Sequence, residues 1–516
     1  MTRGLMTRGR PRRALRGSAL AAAWTLILGA GIAVAQVDTA WTEFQGGPAK
    51  TGAASDGPEP GYRRTWRTAI APGGPGERFG LSVPVIAGDV AIAVGPEHVV
   101  GLEVATGEQA FSVDRDLGPP VPPAVAMTSA GTVVVYTEGW GDGPPDAGTS
   151  SDASPSSDAS PTAPGTGDEP DSGVNSHLAA FDIDTQEPLW PPVRLDAVSR
   201  TGVTIDGDLA FVGGNGGTVT AIDLVEGGVA WTRELDATLV TSLAASDGLV
   251  LVGLQGDRDT EPVIVALDAA LGEERWRHDP IAPSAVVSAV SVEGASVFAI
   301  LSGLAETSVV AVDLADGAQR WSQRVNAAFD VVAPPVVSSG RLFVTDLIGH
   351  TRALDAETGE EIWDFAMNSA VFRSVPTLVG SHLLVPTLEG ELGAIDVETG
   401  ELVWRQSGDG SSFRSLATAG EVLVAVRGGA QSGFEAYVHD PDAALVREAS
   451  PTTLALASML GAMAVAALGV LAVVLLLGRF LAHRMNPAFS DDPHPDAADP
   501  DAEQIRDPWE DEDPTP

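Results

Sequence analysis

Short apolar runs broken by polar turns fill most of this chain, and they recur with a fixed period. TVTAID at 218–223, VIVALD at 263–268 and SVVAVD at 308–313 are β-branched runs of strand length. Each ends in an acidic residue and passes through a turn with Gly four residues on. A second run follows, with an aromatic residue eight positions after the acid. The phrase occurs seven times, at 101–111, 180–190, 221–231, 266–276, 311–321, 353–363 and 394–404. Six copies have Gly at the turn, Gln186 being the exception, and six end in Trp, Phe111 being the exception. Gly there supplies the positive φ that a tight turn requires. Upstream of each copy sits another hairpin, such as PVVSSGRLFV at 335–344 or PTLVGSHLLV at 376–385. The unit is therefore four strands, A to D, repeating mostly every 41 to 45 residues. One such sheet cannot bury its own faces. Stacked radially, each covers the next, and the Trp fills the gap between them. The expected fold is all-β, a propeller of four-stranded antiparallel blades.

The blade count follows from two offset series. The strand C acids are Glu103, Asp182, Asp223, Asp268, Asp313, Asp355, Asp396 and a degenerate Asp440. The strand D aromatics are Trp66, Phe111, Trp190, Trp231, Trp276, Trp321, Trp363 and Trp404. Trp66 has no strand C before it, and Asp440 has no Trp after it. Eight blades result if the strand around Trp66 completes the blade that begins near Phe413. The Arg64–Thr68 backbone then lies beside that of Glu435–His439, and no sheet edge is left open. The alternative is a seven-bladed ring with a loose eighth unit. Residues repeated around a ring serve the ring, so the repeated Asp and Trp are read as structural.

The period alone also fits a WD40 propeller, but the Gly-His and Trp-Asp dipeptides of that family do not recur with the repeat, each occurring once, at 349–350 and 363–364. The phrase formed by Ala353, Asp355, Thr358, Gly359 and Trp363, and again by Ala394, Asp396, Thr399, Gly400 and Trp404, resembles the PQQ-type, or quinoprotein-like, propeller repeat. WTEFQGGPAKTG at 41–52 also resembles the start of such chains. The resemblance covers residues 41–447 and implies the fold. For function it implies three directions, since the repeat serves redox enzymes, assembly scaffolds and sensor domains. Dehydrogenases of this type hold pyrroloquinoline quinone on the axis, between a Trp and a disulfide of adjacent Cys. Ca²⁺ is bound there by Glu, Asn and the quinone. This chain has no Cys, so that platform is impossible. It also lacks a haem-attachment motif, a G-x-S-x-G elbow, a P-loop and H-E-x-x-H, and its eight His are scattered. No catalytic residue, cofactor or metal ligand is assigned. Quinone and Ca²⁺ belong only to the alternative of a quinoprotein oxidoreductase without the usual disulfide. At the start of strand A, which faces the channel mouth of a propeller, stand Arg200 in SRTGV, Arg373 in FRSVP and Arg414 in FRSLA. Three converging guanidiniums would hold an anionic ligand or an acidic peptide.

The flanks place the propeller. Residues 1–16 carry Arg3, Arg8, Arg10, Arg12, Arg13 and Arg16 and form a basic cytoplasmic region before an uncharged stretch at 17–37. A second uncharged run at 452–478 precedes Arg479, His483 and Arg484. Each is long enough to span a bilayer. Their basic flanks put both ends in the cytoplasm and the propeller outside. Ala33-Val34-Ala35 makes the first stretch a cleavable signal peptide in the other reading. Residues 139–176, rich in Gly, Pro, Ser, Asp and Thr, are expected to be a disordered insertion between strands B and C of the second blade. The tail at 479–516 is expected to be acidic and disordered, and it is too short for a kinase domain. The formal net charge of −40 excludes nucleic acid as a partner and leaves the membrane and protein or cell-envelope partners. The expected function is that of a membrane-anchored extracytoplasmic propeller acting as a non-enzymatic binding or scaffolding module. The resemblance extends to outer-membrane assembly lipoproteins, which recruit partners through the rim.

Overall fold

The computed structural model describes residues 41–70, 80–129, 131–139, 176–199, 201–237, 239–255, 263–278, 286–287, 289–302, 307–325, 334–371, 374–428 and 432–443. The spans expected at 17–37 and 452–478, the tail from 479, and insertion residues 140–175 lie outside them. Among the described residues no helix is long and apolar enough to cross a membrane.

The strands form eight four-stranded antiparallel blades. Their innermost strands, A, are Val85–Ala87, Ala124–Thr128, Thr204–Asp206, Leu239–Ser246, Ser291–Glu293, Val336–Ser338, Thr377–Val379 and Phe413–Ala419. Blades 4 and 5 are joined through the short strand Val286–Val287. It pairs with Gln255 on one side and with Leu301 and Ser302 on the other. Blade 8 has only three consecutive strands, Phe413–Ala419, Val422–Arg427 and Gly433–His439; its strand D is Tyr62–Ala69. The register pairs Arg64 with Tyr437, Trp66 with Ala436, Arg67 with Glu435 and Thr68 with Phe434. The ring therefore closes as the offset series requires, and the seven-bladed alternative falls. One boundary needs correction: Ser176 is not loop. It opens strand C of blade 2, Ser176–Asp182, and is 1% exposed.

Strands B and C are apolar on both faces because each blade is covered by two neighbours. LAFVG at Leu209–Gly213 and TVTAID at Thr218–Asp223 are buried along almost their whole length. Eight apolar clusters result, one at each joint between blades.

The repeated phrase builds these joints. Asp355 Oδ1 accepts the N–H groups of Glu357 and Thr358 and the Thr358 hydroxyl, at 3.0, 2.8 and 3.0 Å. Asp396 does the same for its own turn. Asp182, Asp223, Asp268 and Asp313 also receive turn N–H groups. The Gly then brings the turn against the aromatic of the preceding blade. Trp66, Trp190, Trp231, Trp276, Trp321 and Trp363 donate their Nε1–H to the carbonyls of Val104, Leu224, Ala269, Leu314, Ala356 and Val397, each directly after a strand C acid. Gly400, at φ +72°, lies so close to the Trp363 ring that a Cβ there would be 2.7 Å from it. Trp404 differs from the others: it meets the Tyr62 ring edge-on, with centroids 5.0 Å apart.

The two exceptions to the phrase meet at one joint. Phe111 closes blade 1, and the facing turn of blade 2 carries Gln186 at φ 58°. Gln186 makes the same turn bond as the Gly residues, its N–H to the Asp182 carbonyl at 2.8 Å. At the joints where the turn residue is Gly, a Cβ on it would come within 2.3–2.7 Å of the facing Trp ring; here the turn residue is Gln186, and Phe111 packs edge-on against Phe181, at 5.4 Å. We expect Phe111→Trp to cost about 1–3 kcal/mol by overpacking, and Gln186→Gly in the same chain to restore most of it. Urea titration of the two single variants and the double variant checks this. Additive losses would show that the two positions do not meet.

The turn carboxylates also set an acid limit. Hydrogen bonds from the Thr358 N–H and hydroxyl hold Asp355 below its ordinary value of 3.8. A carboxylate depressed by folding stabilises the fold above its unfolded pKa, and that stabilisation fades as pH falls through the folded pKa. Asp355→Asn should therefore lower the melting temperature at neutral pH. The gap to the parent chain should close between about pH 5 and pH 2. A gap independent of pH would deny the charge any part in the turn.

Candidate functional site

The innermost strands expose a ring of inward edges, and the chain covers them with its own first described segment. Trp41 and Thr42 offer their carbonyls to the Ile86 and Val125 N–H groups of blades 1 and 2, at 2.7 and 2.9 Å. Glu43 reaches blade 3 with its side chain, Oε1 accepting the Ile205 N–H at 3.0 Å. Pro48, Ala49, Thr51 and Gly52 then accept from Ala245, Val292, Val337 and Leu378 of blades 4 to 7, each at 2.8 Å. Gly57 completes the circuit between blades 7 and 8, where a Cβ would stand 2.3 Å from a Val379 methyl and 3.5 Å from that of Thr418.

Inside the plug, Lys50 Nζ lies 2.6 Å from Glu43 Oε2, and the two side chains are 4% and 2% exposed. Burial pushes the Glu43 carboxyl up and the Lys50 amine down, while each partner opposes the shift of the other. Trp41 is 2% exposed and seals the plug toward blade 1. Four turn bonds shape the loop: Glu43 and Gly46 exchange N–H bonds with each other's carbonyls, Lys50 N–H donates to Gly47 and Gly52 N–H to Gln45.

A second charged cluster lies where the ring closes. Glu435 is fully buried in strand C of blade 8. Its Oε2 accepts Arg427 Nε at 3.0 Å and the Tyr437 hydroxyl. Its Oε1 meets Arg64 Nη1 at 3.0 Å and Arg67 Nε at 3.2 Å. Burial and the adjacent carboxylate raise the Tyr437 phenol. Arg427 is 1% exposed, lies over the Phe413 ring at 3.8 Å, and approaches Asp409 at 3.4 Å. The rim strand is thus held by ion pairs across the joint as well as by its ladder.

Of the three arginines expected at the channel mouth, Arg200 and Arg373 lie outside the described residues. Arg414 is the second residue of strand A in blade 8 and is half-buried. Its carbonyl accepts the Val375 N–H at 3.1 Å, and its Nε lies 2.9 Å from where a Gly428 Cβ would stand. Sequence reasoning missed Glu43, Lys50, Arg427 and Glu435. Lys50 alone carried a signal, as the only lysine in the chain.

The hub leaves no carboxylate oxygen of Glu43 free for a metal ion. Both oxygens of Glu43 are engaged, one by Ile205 and one by Lys50. Among the described residues no group of three or more His, Cys, Asp or Glu is placed to hold a metal ion.

Comparison with known proteins agrees with this fold. The family model for outer membrane protein assembly factor BamB matches residues 174–350 and 348–440. The BamB of Yersinia pestis is 24% identical over 208 residues, covering 36% of this chain and 51% of that protein. Quinohemoprotein alcohol dehydrogenase ADH IIB of Pseudomonas putida is 27% identical over 158 residues, covering 27% of this chain and 22% of that enzyme. The crystal structure of BamB from Moraxella catarrhalis superposes with a TM-score of 0.53 at 16% identity, covering 74% of this chain and 98% of that one, a likeness of fold. The chain spans about half the length of the BamB relatives it matches, 51% and 56%. With the family model covering more than half of its residues and its PQQ-type repeats closing an eight-bladed ring, this chain belongs to the BamB family of β-propellers.

Proposed function

We propose that this chain is a non-enzymatic binding or scaffolding propeller, anchored to a membrane with its ring on the extracytoplasmic side. The observation that carries the reading is the hub. The inner edges of blades 1 to 7 are covered by the chain's own segment, and its two charged side chains satisfy each other. The repeated Asp, Gly and Trp are spent on the joints, which leaves the loops at the ends of the blades to meet partners. The family name, outer membrane protein assembly factor, points to protein or cell-envelope partners. In this reading 17–37 is an anchor or signal peptide, 452–478 is a span, 479–516 is an acidic cytoplasmic tail, and Arg200, Arg373 and Arg414 receive an anionic group of the partner.

A quinoprotein oxidoreductase is the second reading, favoured by the similarity to ADH IIB. One experiment separates the two. The purified chain is incubated with pyrroloquinoline quinone and Ca²⁺, then assayed for dye-linked oxidation of alcohols and sugars. We expect neither retained quinone nor turnover. Turnover would overturn the scaffold reading.

A further inference from the structure

The segment from Trp41 to Ala69 is held differently from the rest of the ring. Its unfavourable features are internal. Gln45 and Lys50 are non-glycine residues at φ 61° and 53°. Gln45 Oε1 is buried without a hydrogen-bond partner. Glu43 and Lys50 are removed from water. Beyond the Glu43–Lys50 pair and the turn bonds, the compensating bonds run between the segment and the ring: the hub contacts to blades 1 to 7, and seven register pairs with strand C of blade 8. Such a segment docks as a unit, because no part of it is stable without the surface it covers.

The ring is incomplete without it in turn. Seven inward N–H groups, from Ile86 to Leu378, would lose their acceptors. Glu435 would keep Arg427 but lose Arg64 and Arg67. Strand C of blade 8 would become an open edge. These ring-side groups all lie between Val85 and His439 in sequence, and none of them depends on which copy supplies residues 41–69.

We propose that Trp41–Ala69 is a donor segment that a second copy of this chain accepts in trans, giving a swapped dimer in which each ring holds the other's plug and rim strand. The contacts are those of the single chain, so exchange is governed by protein concentration and by the barrier to undocking.

The absence of Cys makes the test direct. Arg63 and Val438 are register partners across the rim joint. Arg63 is exposed and Val438 half-buried. Full-length chains carrying either Arg63→Cys or Val438→Cys are mixed in detergent, warmed, cooled and oxidised. Swapping yields a disulfide between position 63 of one copy and position 438 of the other, identified as a cross-linked peptide. A tenfold rise in protein concentration should raise the dimer-to-monomer ratio about tenfold while monomer dominates. A chain with both substitutions, oxidised before mixing, should lock its own segment and form no such dimer. If the doubly substituted chain oxidises within itself but the mixed single variants never yield the 63–438 peptide, the segment does not exchange and the proposal is overturned.

Discussion

Deleting residues 41–69 is expected to abolish the monomeric propeller. The truncated chain loses strand D of blade 8 and every hub acceptor, and it gains an open edge along Gly433–His439. An unpaired strand edge beside a buried, partly uncompensated carboxylate drives association, so the product should aggregate or melt far below the parent. Size-exclusion chromatography and thermal melting read the outcome. Restoring 41–69 after Arg447 by circular permutation should recover the fold, because the same strand returns to the same slot. A truncated chain that stays monomeric with an unchanged melting temperature would show that closure contributes little to the ring.

The second large effect belongs to Glu435. Its carboxylate is wholly buried, and it faces Arg427, which is 1% exposed, as well as Arg64 and Arg67. Glu435→Ala leaves a buried guanidinium without its main counter-charge, which costs about 3–5 kcal/mol. Arg64→Ala should cost no more than about 1 kcal/mol, since that side chain is 44% exposed and well screened. Urea unfolding of the two variants gives the comparison. Equal losses would mean that the ladder, rather than the ion pairs, holds the rim strand.

The blades were legible because each is a local pattern repeated. Asp355, Gly359 and Trp363 stand within nine positions of one another, and the turn they form depends on their own backbone. The partnership of the strand at Trp66 with the one at Glu435 was legible for another reason. A ring with one spare strand at each end has a single economical closure. The plug was not legible, since it is held through backbone N–H groups on seven blades, and backbone groups leave no mark on side-chain periodicity. Nor was the link between Phe111 and Gln186. Each looked like a separate lapse in its own repeat, and only the stacking of blade 1 on blade 2 turns them into one matched pair. The charged pairs Glu43–Lys50 and Arg427–Glu435 were hidden because an acid or a base in sequence does not announce whether it meets water.

Lys50 is the only lysine of the chain, and its amine lies at the axis under a carboxylate. Guanidinium groups resist acylation at neutral pH, so a folded ring presents no side-chain amine to acylating reagents. Lysine-directed cross-linkers and lysine-specific proteases will therefore pass over the intact rim and both faces. When the hub opens, Lys50 becomes reactive, and each molecule gains one further mass increment there. Acylation located at Lys50 by peptide mapping, apart from that of the chain's α-amine, thus counts open hubs directly.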